Sequence, residues 1–157
     1  MQRRKNKTYP LTSDVERLKR ELGSERASGG GDTPEDWVGA YDMALNNIAW
    51  RNGTRLIIHI ADAPAHGSIW YGKSNHDDQN AKLYPLIKKA VEKKIKIIGF
   101  QIGDSPKRSF AEFEKEYKKN GGQLYKIYQF RSGMNADEIS KLFRDMVVQS
   151  THAAAPK

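Results

Sequence analysis

Cysteine is absent from all 157 residues. Its absence excludes disulfide staples and every thiolate metal site. Long apolar runs are missing as well, and nothing approaches the ~18 consecutive residues that a membrane span needs. The N-terminus, Met1 to Lys5, is basic and polar and is not followed by the apolar core of a secretory signal. The composition therefore predicts a soluble, unsecreted chain, expected in the cytoplasm. No Gly-Lys-Ser/Thr follows the glycine loop Gly29-Gly30-Gly31, and no Gly-x-Gly-x-x-Gly follows a strand. That loop therefore carries neither nucleotide cradle.

Positive charge, by contrast, is in excess. The formal net charge is +8 and the isoelectric point lies near 9.6. Such a balance admits nucleic acid, an anionic surface or an acidic protein as partner. The lysines and arginines are scattered over Arg3–Lys7, Lys88–Lys96 and Lys115–Lys119. Spread in this way they suit solvated helix faces, and nucleic acid is not the expected partner. A nucleic-acid binder would betray itself by affinity that falls steeply with salt and needs no divalent ion. Hydrophobic residues make up 38% of a length that suits one domain with one real core.

Taken in order, residues 1–10 read as a basic arm. Ser13 and Glu16 form a capping box that opens a helix carrying Val15, Leu18 and Leu22, which ends at Gly23. A Ser/Gly-rich loop follows. Thr33-Pro34-Glu35-Asp36 predicts a second helix start, with Thr33 as cap and Pro34 in the first turn. Trp37, Tyr41, Ala44, Leu45 and Ile48 make its apolar stripe. Leu56–Ala61 is an almost continuous apolar run, as expected of a strand covered on both faces. Residues 63–79 form a long polar loop, of a length that is often functional. A helix with Leu83, Leu86, Ile87, Ala90 and Val91 leads to a second buried strand, Ile95–Ile102. Ser109 and Glu112 form a capping box for a helix with Phe110, Phe113 and Tyr117 inward. Leu124–Phe130 is a third strand, and Asn135 with Glu138 caps a last helix over Ile139, Leu142, Phe143, Met146 and Val147. The tail 151–157 is expected to be loose. The order α-α-β-α-β-α-β-α predicts an α/β fold with a parallel, Rossmann-like sheet flanked by helices.

In such sheets functional groups collect beyond the carboxyl ends of the strands. Asp62 falls there, and the loop Asp32–Glu35 can reach the same crevice. One carboxylate at a strand end, with Asp32, Thr33 or Glu35 from a neighbouring loop, suits a hard cation such as Mg²⁺. The same residues also suit a simpler role, with Asp32, Glu35 and Asp36 favouring a helix N-terminus and Asp62 capping a turn before Pro64. Phosphate binding by Gly29-Gly30-Gly31 is opposed by the acids beside it. Asp62, His66 and Ser68 stand too close in sequence for a relay, which draws on separate loops. His59 is expected to be a buried, hydrogen-bonded strand histidine. His66 and His76 could supply two ligands of a zinc site, but two in one loop do not define one. Trp50, Trp70 and Tyr71 read as core or rim aromatics.

Gly29-Gly-Gly-Asp-Thr-Pro-Glu-Asp36, a helix ending Ala44-Leu45, and an apolar strand ending Ala61-Asp62 together resemble the second half of a von Willebrand factor A (VWA) domain. With Asp62-Ala-Pro-Ala-His-Gly67, the similarity is greatest to the VWA domain of amoebal alpha-type protein kinases, over 11–150. The resemblance implies a metal-ion-dependent adhesion site holding Mg²⁺. Asp62 matches the ligand that follows the fourth strand. The middle ligand is Glu35 by analogy with integrin β subunits, or Thr33 by analogy with other members, while Asp32 holds the loop or an adjacent ion. The family's Asp-x-Ser-x-Ser motif occurs nowhere in the chain, which on this resemblance starts after the third strand and resembles a truncated product. The resemblance further implies a binding module, not an enzyme, in which an acidic residue of a protein partner completes the ion's coordination. Residues 63–79, with His66, Trp70 and Tyr71, would form the partner-binding face. The chain holds no kinase signature of its own, so the alternative is a regulatory or localisation fragment of a kinase polypeptide. A missing neighbour would leave one edge of Leu56–Ala61 unpaired, and two copies are expected to pair through it.

Overall fold

The computed structural model describes residues 6–26, 31–131 and 133–154. Three parallel strands form the centre in the order β1 (Arg55–Ala61), β2 (Ile95–Ile102), β3 (Tyr125–Phe130). Helices α1 (Val15–Gly23) and α2 (Trp37–Asn46) precede the sheet. The short α3 (Ser68–Tyr71) and α4 (Leu83–Glu92) connect β1 to β2. The longer α5 (Lys107–Lys119) connects β2 to β3, and α6 (Ala136–Ala154) follows. This is the mixed α/β, Rossmann-like architecture that alternating strands and helices demand.

Side chains alternate across the sheet with period two, and two separate cores result. On one face Ile57, Ala61, Ile95, Ile97, Tyr125 and Ile127 meet Trp37, Tyr41 and Leu45 of α2, the inner face of α4, and Phe110, Phe113 and Tyr117 of α5. On the other, Ile98, Phe100 and Phe130 meet Leu142, Phe143, Met146 and Val147 of α6. Both crossover helices thus share a face, with α6 on its opposite. His59, Gly99 and Ile127 stand in one row across the three strands. A Cβ on Gly99 would come within 2.7 Å of the Phe110 ring, so α5 packs directly on the backbone of β2.

Several sequence expectations are corrected. β2 is buried nearly throughout, but β1 is not covered on both faces: Ile60 is 52% exposed and Ile58 36%. The cause is position. Among the described residues β1 pairs only with β2, and α6 packs over β2 and β3. Helix α1 is capped by Asp14, which accepts from Arg17 N at 2.8 Å, and not by Ser13. Its stripe is unburied, with Val15 and Leu22 exposed. The described part of the basic arm is tied elsewhere: Asn6 donates to Asp36, and Lys7 and Tyr9 both bind Glu25. Residues 151–154, expected to be loose, continue α6. The capping box at its start is as predicted, with Asn135 and Glu138 bonding each other's backbone N–H at 2.8 and 2.9 Å.

His59 shows how tightly the first core is set. Its Nδ1 bonds the Tyr41 hydroxyl at 3.0 Å, and its ring packs against Trp37 and Phe110 at 4.2 and 4.9 Å. Desolvation pushes its pKa down to about 3, so the ring is neutral in the fold. The unfolded chain takes up a proton there below about pH 6.5, and the folded chain refuses it until about pH 3. Stability must therefore fall as pH drops from the first value toward the second, by at most about 1.4 kcal/mol per pH unit for one proton. Urea midpoints at neutral pH and near pH 5 should fall further in the wild type than in His59→Phe. Equal losses would show that His59 is free to charge in the fold.

Candidate metal centre

Two loops meet at the carboxyl end of β1. The first runs from Gly31 to Asp36. The residue before a proline is pushed towards extended backbone, and this segment does not begin the helix as the sequence suggests. Pro34 is buried, and Glu35 forms an isolated parallel bridge with Ala65. Its N–H donates to Pro64 O at 2.8 Å, and Trp37 Nε1 donates to Ala63 O at 3.2 Å. The cap of α2 is Asp36, accepting from Gly39 N at 2.8 Å, in place of Thr33. Gly29 and Gly30 lie outside the described residues.

The second loop, residues 62–80, is braced from within. Ala65 N donates to the buried Ser109 hydroxyl at 3.0 Å, and that hydroxyl donates to Trp70 O at 2.9 Å. Ser109 is therefore not the helix cap that the sequence suggested, since α5 starts two residues earlier. It ties the loop to α5. Gly67, at φ 100°, donates to Asn75 O at 2.8 Å. Asp77 accepts from Ser68 N at 2.8 Å and from the Ser74 hydroxyl at 2.7 Å. Those bonds, that of Ser74 foremost, hold its carboxyl below the usual range. Asn80 accepts from Ile69 N at 2.9 Å.

Trp70 is completely buried, with Nε1 bonded to Asn80 O at 3.0 Å. This corrects its assignment to a partner-binding face: it anchors the loop from below. Tyr71 is half-buried at the rim, with the Lys73 ammonium 5.8 Å from its ring centre. His66 is half-buried, while Thr33, Glu35 and Asp62 are exposed.

Asp32 does not stand with the other acids. Its Oδ2 lies 3.0 Å from His76 Nε2, 3.2 Å from Asn75 Nδ2 and 3.8 Å from His66 Nε2. The two imidazoles meet edge-on, 4.5 Å between centres. Ligand atoms of Asp32, His66 and His76 all lie within 4.8 Å of one another, and no other such group of three or more occurs among the described residues. The sequence singled out each of these residues but did not join them. Nothing in the chain order shows that the loop turns His76 back onto Asp32.

The fold and the place of these loops define a small Rossmann-like α/β unit with its polar groups at the carboxyl ends of parallel strands. No family model matches the chain. Over 69 residues, 43% of its length, it is 38% identical to the Alpha-protein kinase vwkA of Dictyostelium discoideum. The matched stretch spans only 11% of that relative. No described helix is long and apolar enough to cross a membrane.

Replacing Ser109 by Ala should expose the importance of the tie between loop and helix. It leaves the Ala65 N–H buried without a partner, at a cost of about 1–3 kcal/mol. Urea denaturation reads that loss, and an unchanged midpoint would show that water replaces the hydroxyl.

Proposed function

We propose that this chain is a non-catalytic protein-binding module, the C-terminal part of a VWA-like domain within a polypeptide of the alpha-kinase type. The partial match to an alpha-protein kinase supports the second part of this reading. The first part is carried by one observation: the Glu35–Ala65 bridge fastens the acidic loop beside the loop that follows Asp62. Two segments 30 residues apart, each singled out by its resemblance to the VWA pattern, are thereby brought to one edge of the sheet.

The donor set suits a hard ion in part. Thr33, Glu35 and Asp62 offer exposed oxygens from the two bridged loops, and Mg²⁺ takes few carboxylates and keeps several waters. Asp32 is engaged by His76 and Asn75, which leaves Asp62 with Glu35 or Thr33 to hold magnesium. When bound there, Mg²⁺ offers a position that an acidic side chain of a protein partner can fill. With no Asp-x-Ser-x-Ser in the chain, affinity should be weak. An amide NMR titration with millimolar Mg²⁺ should move signals at residues 33–35 and 62–66, and Asp62→Ala should abolish the shifts. Submicromolar affinity would contradict an incomplete site, and shifts confined elsewhere would remove these residues from it.

A second copy of the chain is a further partner, favoured by the edge of β1 that is unpaired among the described residues and by its exposed Ile58 and Ile60. An unpaired apolar edge templates strand pairing, and a lysine placed there blunts it. Sedimentation at tens to hundreds of micromolar should detect a reversible dimer that Ile60→Lys weakens. A monomer throughout that range would refute the pairing.

A further inference from the structure

We propose that Asp32, His66 and His76 form a binding site for a borderline transition-metal ion of the Zn²⁺ class, separate from the magnesium ligands. The site clamps the 62–80 loop to the acidic loop. It does not rest on the magnesium reading, because its donors, its ion and its test are different.

Donor chemistry is the first reason. Two imidazoles and one carboxylate are poor ligands for Mg²⁺, which prefers oxygen, and good ones for Zn²⁺. Three protein ligands with one position left for water is a common zinc arrangement.

Geometry is the second. Bonds of about 2.0–2.1 Å to a tetrahedral ion place its ligand atoms about 3.4 Å apart. Here the distances from Asp32 Oδ2 to the two Nε2 atoms are 3.0 and 3.8 Å, on either side of that figure. Both rings direct Nε2 at the same carboxylate oxygen, so both can present a lone pair there with the proton on Nδ1. All three donor atoms lie within 4.8 Å of one another.

The loop is built to hold this arrangement. His76 adopts φ 48° and ψ 49°, a left-handed conformation that is disfavoured for a non-glycine residue. Strained residues of this kind gather at ligand sites. On either side of it Asn75 O accepts from Gly67 N, and Asp77 accepts from Ser68 N, which fixes His66 and His76 relative to each other. Asn75 also donates to Asp32, while its own amide oxygen is buried with no hydrogen-bond partner among the described residues. A water held by the ion is a donor of the type that oxygen lacks.

The chain has four histidines, which makes the test selective. His59 lies in the core and His152 in the last turns of α6, so neither belongs to the cluster. The full chain, stripped with chelator, is titrated with Zn²⁺ by calorimetry and with Co²⁺ by visible absorption. One ion per chain should bind with micromolar or tighter affinity, and Co²⁺ should show the intense bands of four-coordination. Millimolar Mg²⁺ should not displace either ion. His66→Gln, His76→Gln and Asp32→Asn should each weaken binding by more than about 100-fold, the upper end of what losing an outer-shell partner costs. His152→Gln should leave it unchanged. In the wild type, Zn²⁺ should shift the imidazole NMR signals of His66 and His76 and leave those of His59 and His152 in place, a readout that requires no variant. Millimolar affinity, displacement by Mg²⁺, or full affinity in His76→Gln would each overturn the site.

Discussion

The hydrogen bond from Glu35 N to Pro64 O, 2.8 Å long, is the constraint on which the polar end of this molecule depends. It joins a loop before the sheet to a loop after the first strand, and it does so through backbone alone. The side chains on both sides, Thr33, Glu35 and Asp62, remain exposed for other work. Prolines border the bond in both loops, Pro34 and Pro64, and both are buried. A fixed φ at each lowers the entropy lost when the loops come together. The indole of Trp37 adds a parallel tie to Ala63 O and plants the junction in the core.

Much of this was legible in the sequence. The strands and their parallel order follow from apolar runs alternating with helical stripes, and the apolar run Ile95–Ile102 coincides with β2 from end to end. Asn135 and Glu138 announce α6 because both halves of a capping box are local. The failures have a common cause, which is that tertiary contacts compete with local signals. Thr33-Pro34 looks like a helix start, but Glu35 finds a better partner in Pro64 and the cap passes to Asp36. Ser109 looks like a cap, but two distant backbone groups claim its hydroxyl. The continuous run in β1 predicts cover on both faces, and a run of residues cannot say whether a neighbour is present. The trio Asp32, His66 and His76 was the least legible, because its members come from two loops 34 residues apart and from a turn with an unusual backbone at His76.

The two ion readings divide the same crevice by chemistry. Oxygen donors from Thr33, Glu35 and Asp62 favour a hydrated hard cation, and the nitrogen-rich group with Asp32 favours a softer one. The first ion would serve a partner, whose carboxylate could take the place of one of the retained waters. The second would serve the fold, holding two loops whose mutual position decides what the first can present. Neither needs an enclosed pocket, and both agree with a surface that recognises another protein.

Gly99 carries a less obvious burden. Because β2 presents bare backbone there, the ring of Phe110 settles onto the strand. The depth of that contact sets the height of α5 above the sheet. Ser109 immediately precedes it on the same helix turn, and its hydroxyl is the peg from which Ala65 and Trp70 hang. A methyl group added at Gly99 would lift the peg and shift the loop with it. Damage to the loop can therefore begin in the middle of the sheet, beneath the ring of Phe110.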